Sequence, residues 1–445
     1  MSAKSPLLNV LKTSLPAVID LSASTFMWTF ESILIGRISA AAFGGHGMAV
    51  QIIVVVLTLL LTFIVGSSVI INRYLGADDK WQANHILSQA LILGFAMACL
   101  IALLWYFGAS WIFALIKETG MGARQAGISY LKTVARFAPL ILTNFVVLGI
   151  IRGTGETRHA MMINLSVVSL NFILAPILIF GWLGIPALGV RGAALAMGFA
   201  HTLGSMATFY LLRSGKSVLF LSFKELTTPN IKTFKRLFKA GLPTTVEQLV
   251  WAIGQLVVSG YAAILGVTVL AVHQVLLRIQ SILSMFYLGF SLGAMTLVGK
   301  NVGADDRQGA LKTAFAANGI VFIFAFVVFL LLVIFRNAIV VIFTNDAEVI
   351  AMGASVMIMF AFVQIPKALD GVLIGNLRGV GDLQWLMLIT LTSVVLLEIG
   401  LNWLLVFGFG FSLMTLWAVH FVDEVLRSII NFMRFTKSKW NIKKL

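Results

Sequence analysis

The chain has 445 residues, 60% of them hydrophobic and 11% charged, with a formal net charge of +15. An ordinary soluble domain carries roughly 25% charged residues, so this composition excludes a soluble enzyme and places the chain in a bilayer. The positive charge does not point to nucleic acid, because most of the 32 Lys and Arg fall in alternate loops between apolar runs, as the positive-inside rule expects of cytoplasmic loops.

Apolar runs of about 20 residues, long enough to cross lipid as helices, recur along the whole length. Continuous apolarity over such runs fits helices that satisfy their own backbone amides, not alternating barrel strands. The predicted class is an all-α membrane protein of about twelve transmembrane helices. The first stretch, 1–14, carries Lys4 and Lys12 and no small-residue cleavage site, so no removable signal peptide is expected. The first predicted helix, 15–36, follows a proline, Pro16, read as helix-initiating, and holds Asp20 and Glu31. Spans 47–71, 86–107, 128–151, 160–181 and 191–212 complete a first set of six, with Pro139 in the fourth and Asn171 in the fifth. Cys99, the only cysteine, excludes an intramolecular disulfide.

A basic stretch with Arg213, Lys216, Lys224, Lys232, Lys235, Arg236 and Lys239 follows, read as a cytoplasmic linker over 214–240. The second set spans 243–265, 272–298, 314–335, 349–375, 384–407 and 412–432. It holds Glu247 after Pro243, His273 and Gln274 at the head of its second helix, Pro366, Lys367 and Asp370 in its fourth, and Glu398 and Asn402 in its fifth. The tail adds Arg434, Lys437, Lys439, Lys443 and Lys444, so both termini are expected in the cytoplasm.

The two sets are repeats. Gly76-Ala77-Asp78-Asp79 returns as Gly303-Ala304-Asp305-Asp306, an offset of 227 positions that also superposes Pro16 on Pro243, Asp20 on Glu247, His46 on His273 and Pro139 on Pro366. An offset of 226 pairs Arg152-Gly153-Thr154-Gly155 with Arg378-Gly379-Val380-Gly381. Six is an even number, so the halves share one orientation, as in transporters built from parallel repeats, with the substrate path expected between them near mid-membrane. The organisation expected is an N-terminal lobe, 1–213, the linker, 214–240, and a C-terminal lobe, 241–445, with Pro139 and Pro366 as matched helix bends.

A carboxylate at the centre of a bilayer costs about 2.5–3.5 kcal/mol on insertion scales, so each one requires a role or a partner. Glu31 is read as the binder of a coupling cation, with Arg37 as the competing ion-pair partner. Asp20 and Glu247, matched in the repeats, are read as ion pairs or caps near the inner mouth. Lys367 is expected to pair with Asp370, one turn on. Glu398, Asn402 and Asn171 are polar points that one helical face can present to a cavity. Two histidines without acidic or cysteine neighbours make a poor metal site, so no metal and no cofactor are expected. The repeated Gly-Ala-Asp-Asp segments lack the spacing of a phosphate or calcium loop and are read as tight turns.

Glu31-Ser32-Ile33-Leu34-Ile35-Gly36-Arg37, Asn171-Phe172-Ile173-Leu174-Ala175-Pro176, Ala271-Val272-His273-Gln274 and Leu377-Arg378-Gly379-Val380-Gly381-Asp382 closely resemble multidrug and toxic compound extrusion (MATE) transporters over nearly the whole chain. The resemblance implies two six-helix lobes and export of cationic or amphipathic organic compounds in exchange for protons or sodium. It implies acidic residues where this chain has Ala175, Trp251 and Lys367, which favours protons over sodium, acting through Glu31 with Asn171 nearby. Gln274, Asp20, Glu247, Lys367, Asp370, Glu398 and Asn402 are the cavity or gate candidates. The expected partners are small organic substrates and the lipid of a bacterial inner membrane, with the protein a monomer. The rival readings are a lipid-precursor flippase of the same superfamily, for which Lys132, Arg136, Arg278 and Lys367 are the basic residues at hand, and a membrane sensor or scaffold that no longer transports.

Overall fold

The computed structural model describes residues 5–115, 120–410 and 412–437. Lys4, Lys439, Lys443 and Lys444 lie outside the described residues. Among the described residues the chain is helical, with no strand. The long helices are α1 (Pro6–Gly36), α2 (Ala40–Gly76), α3 (Lys80–Leu115), α4 (Met121–Gly153), α5 (Thr157–Phe180) and α6 (Val190–Arg213). After the four-residue α7 (Phe223–Leu226) come α8 (Ile231–Leu265), α9 (Val267–Gly303), α10 (Arg307–Ile334), the short α11 (Arg336–Val341), α12 (Ala347–Gly379), α13 (Leu383–Ser393) and α14 (Leu413–Thr436). Among the described residues eleven helical spans are apolar and long enough to cross a membrane. The remaining long helix, α14, carries Asp423, Glu424, Arg427 and Arg434.

The chain divides into two compact units, one formed by Ile19–Gly241 and the other by Leu242–Leu445 together with Met1–Val18. Two prolines read as helix-initiating, Pro16 and Pro243, prove to lie inside α1 and α8, which begin at Pro6 and Ile231. A proline costs one backbone hydrogen bond within a helix, which packing neighbours and polar side chains can offset in membrane helices. The start of α8 therefore takes up the last third of the stretch read as a linker. Its first residues belong with the N-terminal unit, where Arg236 donates to the Tyr74 hydroxyl at 2.9 Å.

In the N-terminal unit α4 is the central helix, packed on α2, α3 and α6, while α5 and α6 pair. Small residues permit the α2–α4 approach: a methyl group at Gly45 would come within 2.7 Å of the Gly127 nitrogen. In the C-terminal unit α12 holds the same place, packed on α9, α10 and α14. The start of α1 joins this unit, with Val10 and Val18 buried among Tyr287, Phe290 and Val321.

The two Gly-Ala-Asp-Asp segments are matching tight turns. Asp78 and Asp305 take φ of 58° and 56°, a left-handed conformation that Asp tolerates better than most side chains. Asp79 accepts from the Gln82 amide at 3.0 Å, and Asp306 from the Gly309 amide at 2.7 Å, each capping the helix that follows.

Helix α13 does not end at Ser393 but widens into π-helical turns over Val394–Leu401 and again over Leu404–Gly408. α5, its counterpart, is an ordinary α-helix throughout. Wide turns of this kind take in an extra residue and recur at functional sites. The turns that follow the two helices both use left-handed backbone, at Gly181, Leu183 and Gly184 in the first repeat and at Gly410 in the second.

Candidate functional site

Each unit contains one copy of a buried ion pair. In the N-terminal unit Arg152 at the end of α4 donates through Nε to Asp20 on α1 at 2.6 Å, and Asn164 on α5 donates to the other carboxylate oxygen at 2.5 Å. In the C-terminal unit Arg378 at the end of α12 donates to Glu247 on α8 at 2.7 Å. Asp20 and Glu247 are both almost fully buried, at 0% and 4% exposed. A second duplicated contact joins Ser32 to His46 and Ser259 to His273, each at 3.3 Å.

Glu31 lies three turns further along α1, on nearly the same face as Asp20, and is buried. The Tyr130 hydroxyl of α4 donates to its Oε1 at 2.8 Å and also meets the Met197 sulfur of α6 at 3.6 Å, while the His46 ring packs edge-on against Tyr130. Among the described residues Glu31 makes no ion pair, and Arg37 is not its partner. Asn171 is wholly buried on α5, and neither end of its amide makes a hydrogen bond among the described residues. Phe172, beside it, packs on Phe30 with ring centres 4.3 Å apart.

The C-terminal unit holds a much larger polar cluster, organised by α14. His420, the neighbours Asp423 and Glu424, Arg427 and Asn431 recur at three- and four-residue spacing, so they line one side of the helix, turned toward α12 and the π-helical segment. Lys367 Nζ lies 2.7 Å from Glu424 Oε1 and 3.2 Å from His420 Nε2. The expected Lys367–Asp370 pair is therefore not formed. Asp370 instead accepts from Asn431 at 2.8 Å and lies 3.6 Å from Arg427. Arg427 also reaches Glu424 at 2.8 Å and Asp423 at 3.2 Å. Glu398 bonds closely to His420 Nδ1, Ser393 bonds closely to Asp423, and Asn402 donates back to the Glu398 carbonyl at 2.9 Å.

The tautomer of His420 follows from its neighbours. An ammonium group has only donors, so Nε2 facing Lys367 must accept, which leaves the ring proton on Nδ1, aimed at Glu398. Four buried carboxylates, Asp370, Glu398, Asp423 and Glu424, then stand beside two basic side chains, Lys367 and Arg427. Donor atoms of Glu398, His420 and Asp423 lie within 4.8 Å of one another, a spacing that can hold a metal ion. In this protein side-chain cations stand beside that cluster.

Two cavities open beside these residues within the C-terminal unit. One, of ≈ 230 Å³, is lined by Trp251, Met285, Trp417 and Leu277 with His273, Gln280, Lys367, Glu398 and His420. The other, of ≈ 210 Å³, is bordered by Glu247, Arg378, Tyr287, Asp370, Glu424, Arg427 and again Lys367. Gln274 is exposed on α9 and borders neither, while Gln280, two turns on, lines the first and pairs with Gln364 at 3.0 Å. Pro139 and Pro366 lie inside α4 and α12; Thr143 donates to the Pro139 carbonyl at 2.5 Å and Ser428 of α14 to the Pro366 carbonyl at 2.9 Å.

Sequence reading singled out neither Tyr130 nor the α14 residues. Tyr130 gives no local signal, being one aromatic in an apolar run. The α14 stripe was readable, since charged residues at three- and four-residue spacing inside a membrane helix have to face protein.

Comparison with known proteins follows the same lines. The MatE family profile matches residues 16–177 and 243–404, one copy in each repeat. A probable multidrug resistance protein NorM of Thermotoga maritima is 24% identical over 431 residues, covering 97% of this chain and 92% of that protein. An uncharacterized transporter, YisQ, of Bacillus subtilis is 23% identical, over 96% and 93% of the two chains. Among solved structures, a MATE in its bent conformation superposes with a TM-score of 0.90 at 21% identity, over 99% of this chain and 97% of that one. An outward-facing multidrug resistance MATE family transporter gives 0.89 at 21% identity, over 99% and 98%.

Proposed function

The chain belongs to the MatE family of multi-pass membrane transporters, carriers and not enzymes, and we propose that it exports cationic or amphipathic organic compounds in exchange for protons. The observation that carries the coupling is the isolation of Glu31. Among the described residues Asp20, Glu247, Asp370, Glu398, Asp423 and Glu424 are buried carboxylates each beside an Arg, Lys or His, and Glu31 alone has only a phenol for partner. A carboxylate held by a salt bridge is already neutralised. One without a cation must take a proton or a coupling ion whenever it is shut away from water.

Protons are preferred to sodium because the carboxylates of the C-terminal unit are committed to Lys367, Arg427 and His420. Asn171, buried with free donor and acceptor, is the second polar group of the N-terminal site. In the outward-facing state Glu31 takes up a proton and substrate leaves; in the inward-facing state the proton leaves and substrate rebinds. Binding shifts such an equilibrium only by its differential affinity for the two states, so a proton and a substrate that prefer different states of one site suffice for exchange. The protein acts as a monomer without cofactor in the bacterial plasma membrane, with both termini in the cytoplasm. Its use of organic cations is supported by the relatives named as probable multidrug resistance proteins.

The test is efflux of ethidium from liposomes containing the purified protein, under an imposed pH gradient and separately a sodium gradient. Export driven by pH alone, lost in Glu31→Gln without loss of folded protein, is the expected result. Full pH-driven export by Glu31→Gln removes Glu31 from the mechanism, and sodium-driven export removes the proton.

A further inference from the structure

Lys367 stands where the two cavities of the C-terminal unit meet, since its side chain lines both. Its ammonium has a carboxylate oxygen of Glu424 at 2.7 Å, the accepting nitrogen of His420 at 3.2 Å and the centre of the Trp251 ring at 5.8 Å. A charged acceptor, a neutral acceptor and an aromatic face are the groups that receive a free monovalent cation. We propose that Lys367 is a tethered cation: its ammonium fills a site built for a compact monovalent cation, so the C-terminal unit carries on its own backbone a charge that would otherwise be bound from solution.

Charge balance supports this reading. Asp370, Glu398, Asp423 and Glu424 are each under 5% exposed, and with Lys367 gone Arg427 is left beside three of them and His420 beside Glu398. The other charges bordering the cavities, Glu247 and Arg378, neutralise each other. Uncompensated charge of that size is not tolerated in a membrane interior, so either the acids take up protons or the vacated position takes a cation, and the ready-made acceptors around it favour the cation. Room for one exists, because truncating Lys367 adds its side-chain volume to a cavity of ≈ 230 Å³. The same cavity already carries unused polar atoms: the indole N–H of Trp417 and Nδ1 of His273, both buried, make no hydrogen bond among the described residues.

The experiment is equilibrium dialysis of the detergent-purified full chain against radiolabelled methylammonium and, separately, radiolabelled sodium. Lys367→Ala is expected to bind one of the two at least about tenfold more tightly than the wild-type chain, the scale of one unbalanced close charge. Lys367→Arg, which keeps the charge, is expected to show no gain, and adding Glu424→Gln to Lys367→Ala is expected to remove the gain. Methylammonium binding identifies a site that reads N–H donors, and sodium binding one that reads charge alone; either supports the proposal. A folded Lys367→Ala protein that binds neither cation overturns it, as does wild-type protein that binds as tightly as the variant. Should Lys367→Ala be recovered folded only when methylammonium or sodium chloride is present during solubilisation, the cation is replacing the tether, as proposed; failure to recover it with either salt, while Lys367→Arg folds, overturns it. Binding is read without any transported compound, so this result and that of Glu31→Gln stand separately.

Discussion

The two units start from one plan and spend their buried polarity differently. The ion pair of Asp20 with Arg152 returns as Glu247 with Arg378, and the Ser32–His46 contact returns as Ser259–His273. Around this shared frame the N-terminal unit leaves one carboxylate, Glu31, in contact with a single phenol. The C-terminal unit instead gathers four carboxylates around a lysine, an arginine and a histidine. What was duplicated and kept is the part that pins the first helix of each repeat to its fourth. What diverged is the rest of the buried polarity: one unit leaves its acid without a cationic partner among the described residues, the other closes its acids with its own side chains.

The comparison can be broken most forcefully at Arg427. Replacing it with Met takes the guanidinium from three carboxylates at once, of which Glu424 keeps Lys367, and removing one partner of a buried pair alone costs about 3–5 kcal/mol, so Arg427→Met is expected to give little folded protein in a thermal unfolding measurement in detergent. No single substitution in the N-terminal unit is expected to match it. Next come Arg152→Ala and Arg378→Ala, each expected to lower stability by about 3–5 kcal/mol in the same measurement. Equal losses would establish the two pairs as one structural device used twice, and a negligible loss at either would show that only the other is structural. Asn164→Ala removes a hydrogen bond to the Asp20 carboxylate that the Glu247 pair lacks, and is expected to cost about 1.5–3 kcal/mol. The smallest effects belong to Ser32→Ala and Ser259→Ala, about 0.5–1.5 kcal/mol each, and a double variant should show their sum because the contacts share no partner.

Much of this architecture was legible in the sequence. Helix count, the duplication and the matched positions of Asp20 and Glu247 follow from apolar run length and a fixed offset. The tight Asp turns follow from residue type, since left-handed backbone is tolerated by few side chains. Glu31 could be singled out because an acid in an apolar run is rare. What could not be read is which side chains meet across helices. Lys367 and Asp370 are neighbours on α12, but α14 presents Glu424 to the first and Arg427 with Asn431 to the second, and a facing helix outcompetes a turn of the same one. The starts of α1 and α8 were missed because a proline reads as a boundary, whereas here each helix runs on through it.

The π-helical turns after Ser393 carry a consequence in angle, not in length. A residue added to an α-helix swings everything beyond it by about 100° around the axis, enough to exchange a lipid-facing side for a protein-facing one. The fifth helix of the second repeat takes the other course: its turns widen over Val394–Leu401 and Leu404–Gly408, and Glu398 sits within the first of these, facing His420. Widening confines the change of direction to the turn itself, so an acid can be aimed at a neighbouring helix while the helix beyond keeps its own facing.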